Sequence, residues 1–141
     1  MQASVFHSYT EADNPLIARQ ILDICNTARI FACYGELGAG KTTLIKSFCA
    51  ALGVDSFVSS PTFTLVNVYN SPGGEVYHFD FYRIRSEAEA YEMGCFEYFD
   101  SGSYCFIEWP GRIPSLLPPG VVKLYVEAGE GGVRTIELSV E

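Results

Sequence analysis

Apolar positions along the 141-residue chain fall into short blocks that switch between extended and helical spacing. Ser4 to Ser8 reads as a short first strand. Thr10, Asp13 and Asn14 then offer oxygen-bearing side chains for a helix N-cap, and Pro15 suits the first turn. Leu16, Ile17, Ile21, Leu22 and Ile24 recur at near-helical intervals, which predicts a helix to about Ala28. Ile30 to Tyr34 is a compact apolar run that ends at a glycine-rich stretch, the signature of a buried strand. Lys41 to Leu52 places Leu44, Ile45, Phe48, Cys49 and Leu52 on one helical face, with Gly53 as its stop.

The middle of the chain changes period. Thr62 to Tyr69 and Glu75 to Tyr82 are both β-rich and flank Asn70-Ser71-Pro72-Gly73-Gly74, a strong hairpin signal. Ser86 to Glu92 reads as a short helix, with Ser86 at the N-cap and Glu89 three residues on as the other half of a capping box. Tyr104 to Ile107 is a third buried-type strand. Val121 to Val126 and Val133 to Val140 alternate around Gly129-Glu130-Gly131-Gly132, a closing hairpin. The order predicts an α/β fold: a mostly parallel core sheet extended by antiparallel hairpins, with helices on both faces. At this length residues 1–141 have room for one domain.

Composition narrows the partners. Nine Lys plus Arg stand against seventeen Asp plus Glu, a net charge of −8. The basic residues are scattered, so no basic stripe exists to track a nucleic-acid backbone. Five cysteines form neither a CxxC pair nor a zinc spacing, and their odd number points to a reducing compartment. The first residues carry no basic region followed by an apolar stretch, and no run approaches the length of a membrane span. A cytoplasmic location without a membrane is the expectation.

Gly35-Glu36-Leu37-Gly38-Ala39-Gly40-Lys41-Thr42 meets G-x-x-x-x-G-K-[ST] at every fixed position. Glycines let the backbone curl so that N–H groups converge on phosphate oxygens, and the following helix adds its N-terminal partial charge. Lys41 would supply a full charge to the β- and γ-phosphates, and the Thr42 hydroxyl would ligate magnesium. A buried strand enters this loop and an amphipathic helix leaves it. The chain is therefore expected to bind ATP or ADP with Mg2+, the loop residues Gly38, Ala39, Gly40, Lys41, Thr42 and Thr43 lining the nucleotide. Guanine-specific switches carry Asn-Lys-x-Asp, and no Asn-Lys pair occurs here, so adenine is favoured.

A phosphate loop needs an acid at the end of a second buried strand. Tyr104-Cys105-Phe106-Ile107-Glu108 has that form and nominates Glu108 for the magnesium. In His78-Phe79-Asp80-Phe81-Tyr82-Arg83, alternation puts His78, Asp80 and Tyr82 on one face and Phe79, Phe81 and Arg83 on the other. Asp80 can then orient a water, deprotonate it or share the magnesium; the plainer reading is a solvated strand face. Thr62 or Thr64, in Ser59-Ser60-Pro61-Thr62-Phe63-Thr64, can reach phosphate or metal, or simply belong to a turn. Trp109 can stack on a ligand or a partner, or belong to the core.

Taken in order, the phosphate loop, Ser60-Pro61-Thr62-Phe63-Thr64, His78-Phe79-Asp80-Phe81-Tyr82-Arg83 and Ile107-Glu108-Trp109-Pro110 resemble the TsaE (YjeE) family of small bacterial ATPases. The resemblance spans essentially the whole chain. It implies a P-loop NTPase fold and an ATPase serving threonylcarbamoylation of adenosine 37 in tRNAs that read ANN codons. It further implies action with TsaD and TsaB, and contact with tRNA only through those partners. Carried across, Lys41 and Thr42 become the phosphate and magnesium contacts, Glu108 a magnesium ligand and Asp80 a functional acid, with Lys41, Asp80 and Glu108 as the catalytic set. Thr10 and Glu11 fall where the family's N-terminal segment approaches the adenine. Two rival readings are a P-loop small-molecule kinase and a nucleotide-gated assembly factor.

Overall fold

The computed structural model describes residues 2–61 and 63–140. Its strands are β1 (Gln2–Ser8), β2 (Ile30–Tyr34), β3 (Val66–Ser71), β4 (Gly74–Asp80), β5 (Tyr104–Glu108), β6 (Val122–Ala128) and β7 (Arg134–Val140). The α-helices are α1 (Asn14–Ile24), α2 (Lys41–Ala51), α3 (Glu87–Glu92) and α4 (Cys95–Phe99). The strands form one sheet in the order β1-β7-β6-β2-β5-β4-β3. Its centre, β6-β2-β5-β4, is parallel, and β1, β7 and β3 join it through antiparallel ladders. A parallel centre must be covered on both faces, and it is.

Strand alternation divides the core in two. Phe31 and Cys33 of β2, Phe106 of β5 and Val76 of β4 point toward α1 and α2. Phe31, Phe48 and Phe106 form an aromatic triangle there, with ring centroids 5.0–5.7 Å apart. On the other face Tyr77, Phe79, Cys105 and Ile107 pack against Ala90 of α3 and Cys95 and Phe99 of α4. The parallel ladders align the C-terminal ends of β2, β4 and β5. Cys33 stands opposite Glu108, and Glu108 opposite Asp80.

Several boundaries differ from expectation. α1 stops at Ile24, and the next residues form a turn whose Ala28 N–H bonds back to Cys25. Leu16 and Ile24 lie outside its buried stripe and are exposed. β3 starts at Val66 rather than Thr62, because Leu65 takes φ +68°, a left-handed turn geometry that interrupts any strand. β4 ends at Asp80: the Phe81 N–H makes the last bond of the β4–β5 ladder, to the Glu108 carbonyl, and the chain then turns, the Ile84 N–H bonding back to Phe81. The expected Ser86–Glu89 capping box does not form: the Glu89 carboxylate accepts the Arg85 N–H at 2.7 Å instead. α4 was not anticipated at all, its five residues being too few to show a period.

Phe106 is fully buried against two other rings, so Phe106→Ala should lower the unfolding free energy by about 3–5 kcal/mol, read from urea denaturation. All five cysteines are free and buried. Burial pushes the Cys49 and Cys105 thiols up to about 12 and raises those of Cys25, Cys33 and Cys95. A disulfide-forming thiol reagent should therefore label none of the five in the native protein and all five after unfolding. The native thiols keep protons that the unfolded chain releases above the ordinary value of 9.0, so their contribution to stability is intact below that pH and is lost as pH climbs toward about 12.

Candidate functional site

The loop of residues 35–40 carries the chain from β2 into α2. Gly35 holds φ +155°, and a Cβ there would stand 2.5 Å from the Val126 carbonyl oxygen of β6. Gly40 holds φ +104° at the N-cap of α2, a left-handed conformation that suits glycine. The first turn of α2 presents backbone N–H groups that have no partner within the helix. Lys41 starts that turn and is 5% exposed. Its ammonium donates to the carbonyls of Gly35 and Glu36 and lies 4.1 Å from the centre of the Trp109 ring. Burial lowers the Lys41 pKa from its ordinary 10.5, while Glu108, Cys33, Asp80 and Glu36 pull the other way.

Beside Lys41, the Thr42 hydroxyl donates to the Glu108 carboxylate, 2.8 Å from Oε1 and 3.0 Å from Oε2. Glu108 is 3% exposed, a depth at which an isolated carboxylate would be costly. A second donor compensates: His78 Nε2 lies 2.7 Å from Glu108 Oε2. Asp80, at the neighbouring register position, accepts the Tyr82 N–H on Oδ1 at 2.9 Å and the Ser60 hydroxyl on Oδ2. Lys41, Thr42, Asp80 and Glu108 thus line one cleft of about 520 Å³, with Ser60, Tyr82, Arg83 and Trp109 at its walls. Trp109 reaches it because its own backbone takes φ 59° and ψ 48°, which reverses the chain directly after β5.

A smaller cleft of about 210 Å³ abuts the first and contains Thr10 and Glu11 together with Ser8 and Asn14. Gly40, Thr43 and Arg134 belong to both. The sequence-nominated residues therefore converge on two connected spaces. Gly38 lines the larger one; the Ala39 side chain turns away into the α1–α2 core. The Thr10–Glu11 segment is fixed by Asp13, whose carboxylate accepts the N–H groups of Tyr9 and Thr10 at 2.8 and 3.1 Å.

Not every candidate is seen to line the cleft. Thr62 lies outside the described residues. Thr64 is exposed and turns its hydroxyl to the Val66 carbonyl, 3.3 Å away, so it does not line the cleft. With β4 ended at Asp80, Arg83 leaves the face assigned by alternation. It borders the cleft, its guanidinium 5.0 Å from the Phe63 ring. Sequence reasoning also missed Arg134, which shares a strand face with Ile136 and Leu138, a cation on an otherwise apolar, buried side that alternation alone would have exposed.

The donor set also bears on magnesium. Among the described residues no group of three or more His, Cys, Asp or Glu is placed to hold a metal. Mg2+ is commonly held by one or two protein oxygens together with phosphates, and Thr42 and Glu108 fit that arrangement.

A buried strand, a glycine loop and a helix, with carboxylates closing two adjacent parallel strands, define a P-loop α/β protein. The fold is similar to a crystal structure of YdiB from Bacillus subtilis, with a TM-score of 0.79 and 26% identity, covering 99% of this chain and 86% of that one. The family model for "Threonylcarbamoyl adenosine biosynthesis protein TsaE" matches residues 8–136. Two relatives bear the name tRNA threonylcarbamoyladenosine biosynthesis protein TsaE. The Haemophilus influenzae protein is 40% identical over 104 residues, which is 74% of this chain and 65% of the relative. The Bacillus subtilis protein is 34% identical over 120 residues, 85% of this chain and 75% of the relative. The chain belongs to the TsaE family, whose members serve tRNA threonylcarbamoyladenosine biosynthesis.

Glu108 satisfies two donors at once, so Glu108→Ala strands the buried His78 imidazole and the Thr42 hydroxyl. The loss should be about 1–3 kcal/mol of unfolding free energy, and Glu108→Gln, which keeps an acceptor, should lose less. Urea titration of both variants checks the order.

Proposed function

We propose that the chain binds Mg·ATP in the two connected clefts and hydrolyses it to ADP and phosphate. The turnover supports threonylcarbamoylation of adenosine 37 in tRNAs that read ANN codons, together with TsaD and TsaB. The observation that supports this best is the convergence of Lys41, Thr42, Asp80 and Glu108 on one cleft at the mouth of the glycine loop. Lys41 faces the phosphates as the fixed cation. Thr42 and Glu108 hold the magnesium, which when bound neutralises charge on the phosphate oxygens. Asp80 keeps its carboxylate fixed through Ser60 and the Tyr82 N–H, so it can orient a water for attack. The smaller cleft takes the nucleoside, with Thr10 and Glu11 toward the base. The nine basic residues are scattered along a chain of net charge −8, which supports contact with tRNA through the partner proteins, and the setting is the cytoplasm.

Trp109 is the only tryptophan, and it stands against Lys41, so its emission should report nucleotide binding directly. Lys41→Ala should abolish the ATP-dependent change. Asp80→Ala should retain binding within about threefold and lose about 100-fold or more in phosphate release, the range removed with a positioned acid or base. Full turnover by the Asp80 variant would overturn its assigned role. Phosphate release measured with and without TsaD and TsaB separates a partner-coupled ATPase from a nucleotide-gated assembly factor.

A further inference from the structure

His78 and Tyr69 have no part in the nucleotide contacts above, yet they are polar groups held inside the protein. His78 is wholly buried and Tyr69 is 5% exposed. His78 Nε2 lies 2.7 Å from Glu108 Oε2, and its other nitrogen, Nδ1, lies 3.2 Å from the Tyr69 hydroxyl. Because an ionised carboxylate only accepts, the proton in the first contact sits on Nε2. Nδ1 therefore accepts the single Tyr69 proton, and the Tyr69 oxygen is tied to Ser59 by accepting its N–H at 3.3 Å. The Asn67 amide braces the same junction, donating to the Ser59 carbonyl at 3.0 Å. Burial raises the Tyr69 phenol above its ordinary 10.0, so it remains a proton donor at neutral pH.

The next residue, Ser60, donates its hydroxyl to Asp80. One short loop therefore grips both acids of the cleft: Asp80 through Ser60, and Glu108 through Ser59, Tyr69 and His78. Groups that hold a metal's ligand fix its orientation, and losing them weakens the metal although they never touch it.

The geometry points to His78 and Tyr69 as positioning residues that couple the loop at Ser59–Ser60 to the magnesium ligand Glu108. This deepens the proposed function and rests on its assignment of the metal site. The coupling works in both directions: metal seated at Glu108 orders Ser59, and loosening Ser59 weakens the metal.

The test is the Mn2+ affinity of the ADP-loaded protein, measured by electron paramagnetic resonance, for wild type, His78→Leu, Tyr69→Phe and the double variant. His78→Leu should weaken Mn2+ about tenfold, the low end of what outer ligand contacts contribute. Tyr69→Phe, which removes one oxygen at a residue that does not touch Glu108, should weaken it about threefold. The double variant should be no weaker than His78→Leu alone, because both changes cut the same chain. In wild type, Mn2+ should slow hydrogen exchange at the Ser59 amide, and in His78→Leu that response should vanish. Effects that multiply, an unchanged Tyr69→Phe variant or an undiminished Ser59 response in His78→Leu would each overturn the coupling. If the leucine variant does not fold, His78→Gln takes its place, and the Tyr69→Phe arm stands independently. A wild-type protein that binds no ADP overturns the proposed function and the coupling with it. Normal Mn2+·ADP binding that all variants share overturns the coupling alone.

Discussion

Glu108 sits where three strands and a helix must agree. Its carboxylate takes the Thr42 hydroxyl from α2 and the His78 imidazole from β4, and its strand lies between β2 and β4 in parallel register. An acid this deep has few ways to be satisfied, and each partner fixes one element of the site. Thr42 ties the first turn of α2 to the end of β5. His78 ties β4 to β5, whose parallel ladder ends with Asp80 level with Glu108. Trp109, forced into a left-handed turn by the end of β5, then closes over Lys41. The cleft is the space these contacts leave.

The electrostatic character of this space follows from the same packing. Lys41 is held against carbonyl oxygens and an indole face, with two carboxylates nearby, in a protein whose overall charge is −8. Arg134 adds a second cation where the two clefts meet. Lys41 and Arg134 thus place two cations in the connected clefts of an acidic chain.

How much of this was written locally varies from residue to residue. The loop from Gly35 to Thr42 is legible because its chemistry is contiguous: glycines, a lysine and a hydroxyl at fixed offsets between an apolar strand and an amphipathic helix. Glu108 and Asp80 are legible as acids at strand ends, and alternation places Phe79 in the opposite core from His78, as found. Their partnership is not legible, because the pairing of β4 with β5 is a long-range choice. For the same reason the His78–Glu108 contact and the linkage of Ser60 to Asp80 leave no mark in spacing. Local patterns also misled where tertiary bonds compete. Tyr82 and Arg83 were extended by alternation, whereas the chain turns after Phe81, whose carbonyl takes the Ile84 N–H. Glu89 looks like half of a cap, but the Arg85 N–H takes its carboxylate.

The level ends of β4 and β5 impose a rule on how the gene for such a protein can change length. From Val76 to Asp80, side chains alternate between the two cores with period two. A single codon gained or lost inside that stretch would push a phenylalanine ring into the cleft and sink the acid among aromatic side chains. The turn at Pro72 and Gly73 lies at the far end of the hairpin from Asp80; Pro72 rests against Gly53, and Gly73 has open space around it. Added length therefore fits beside Gly73 better than a few residues later, and that position is the natural place to graft a foreign peptide onto this scaffold.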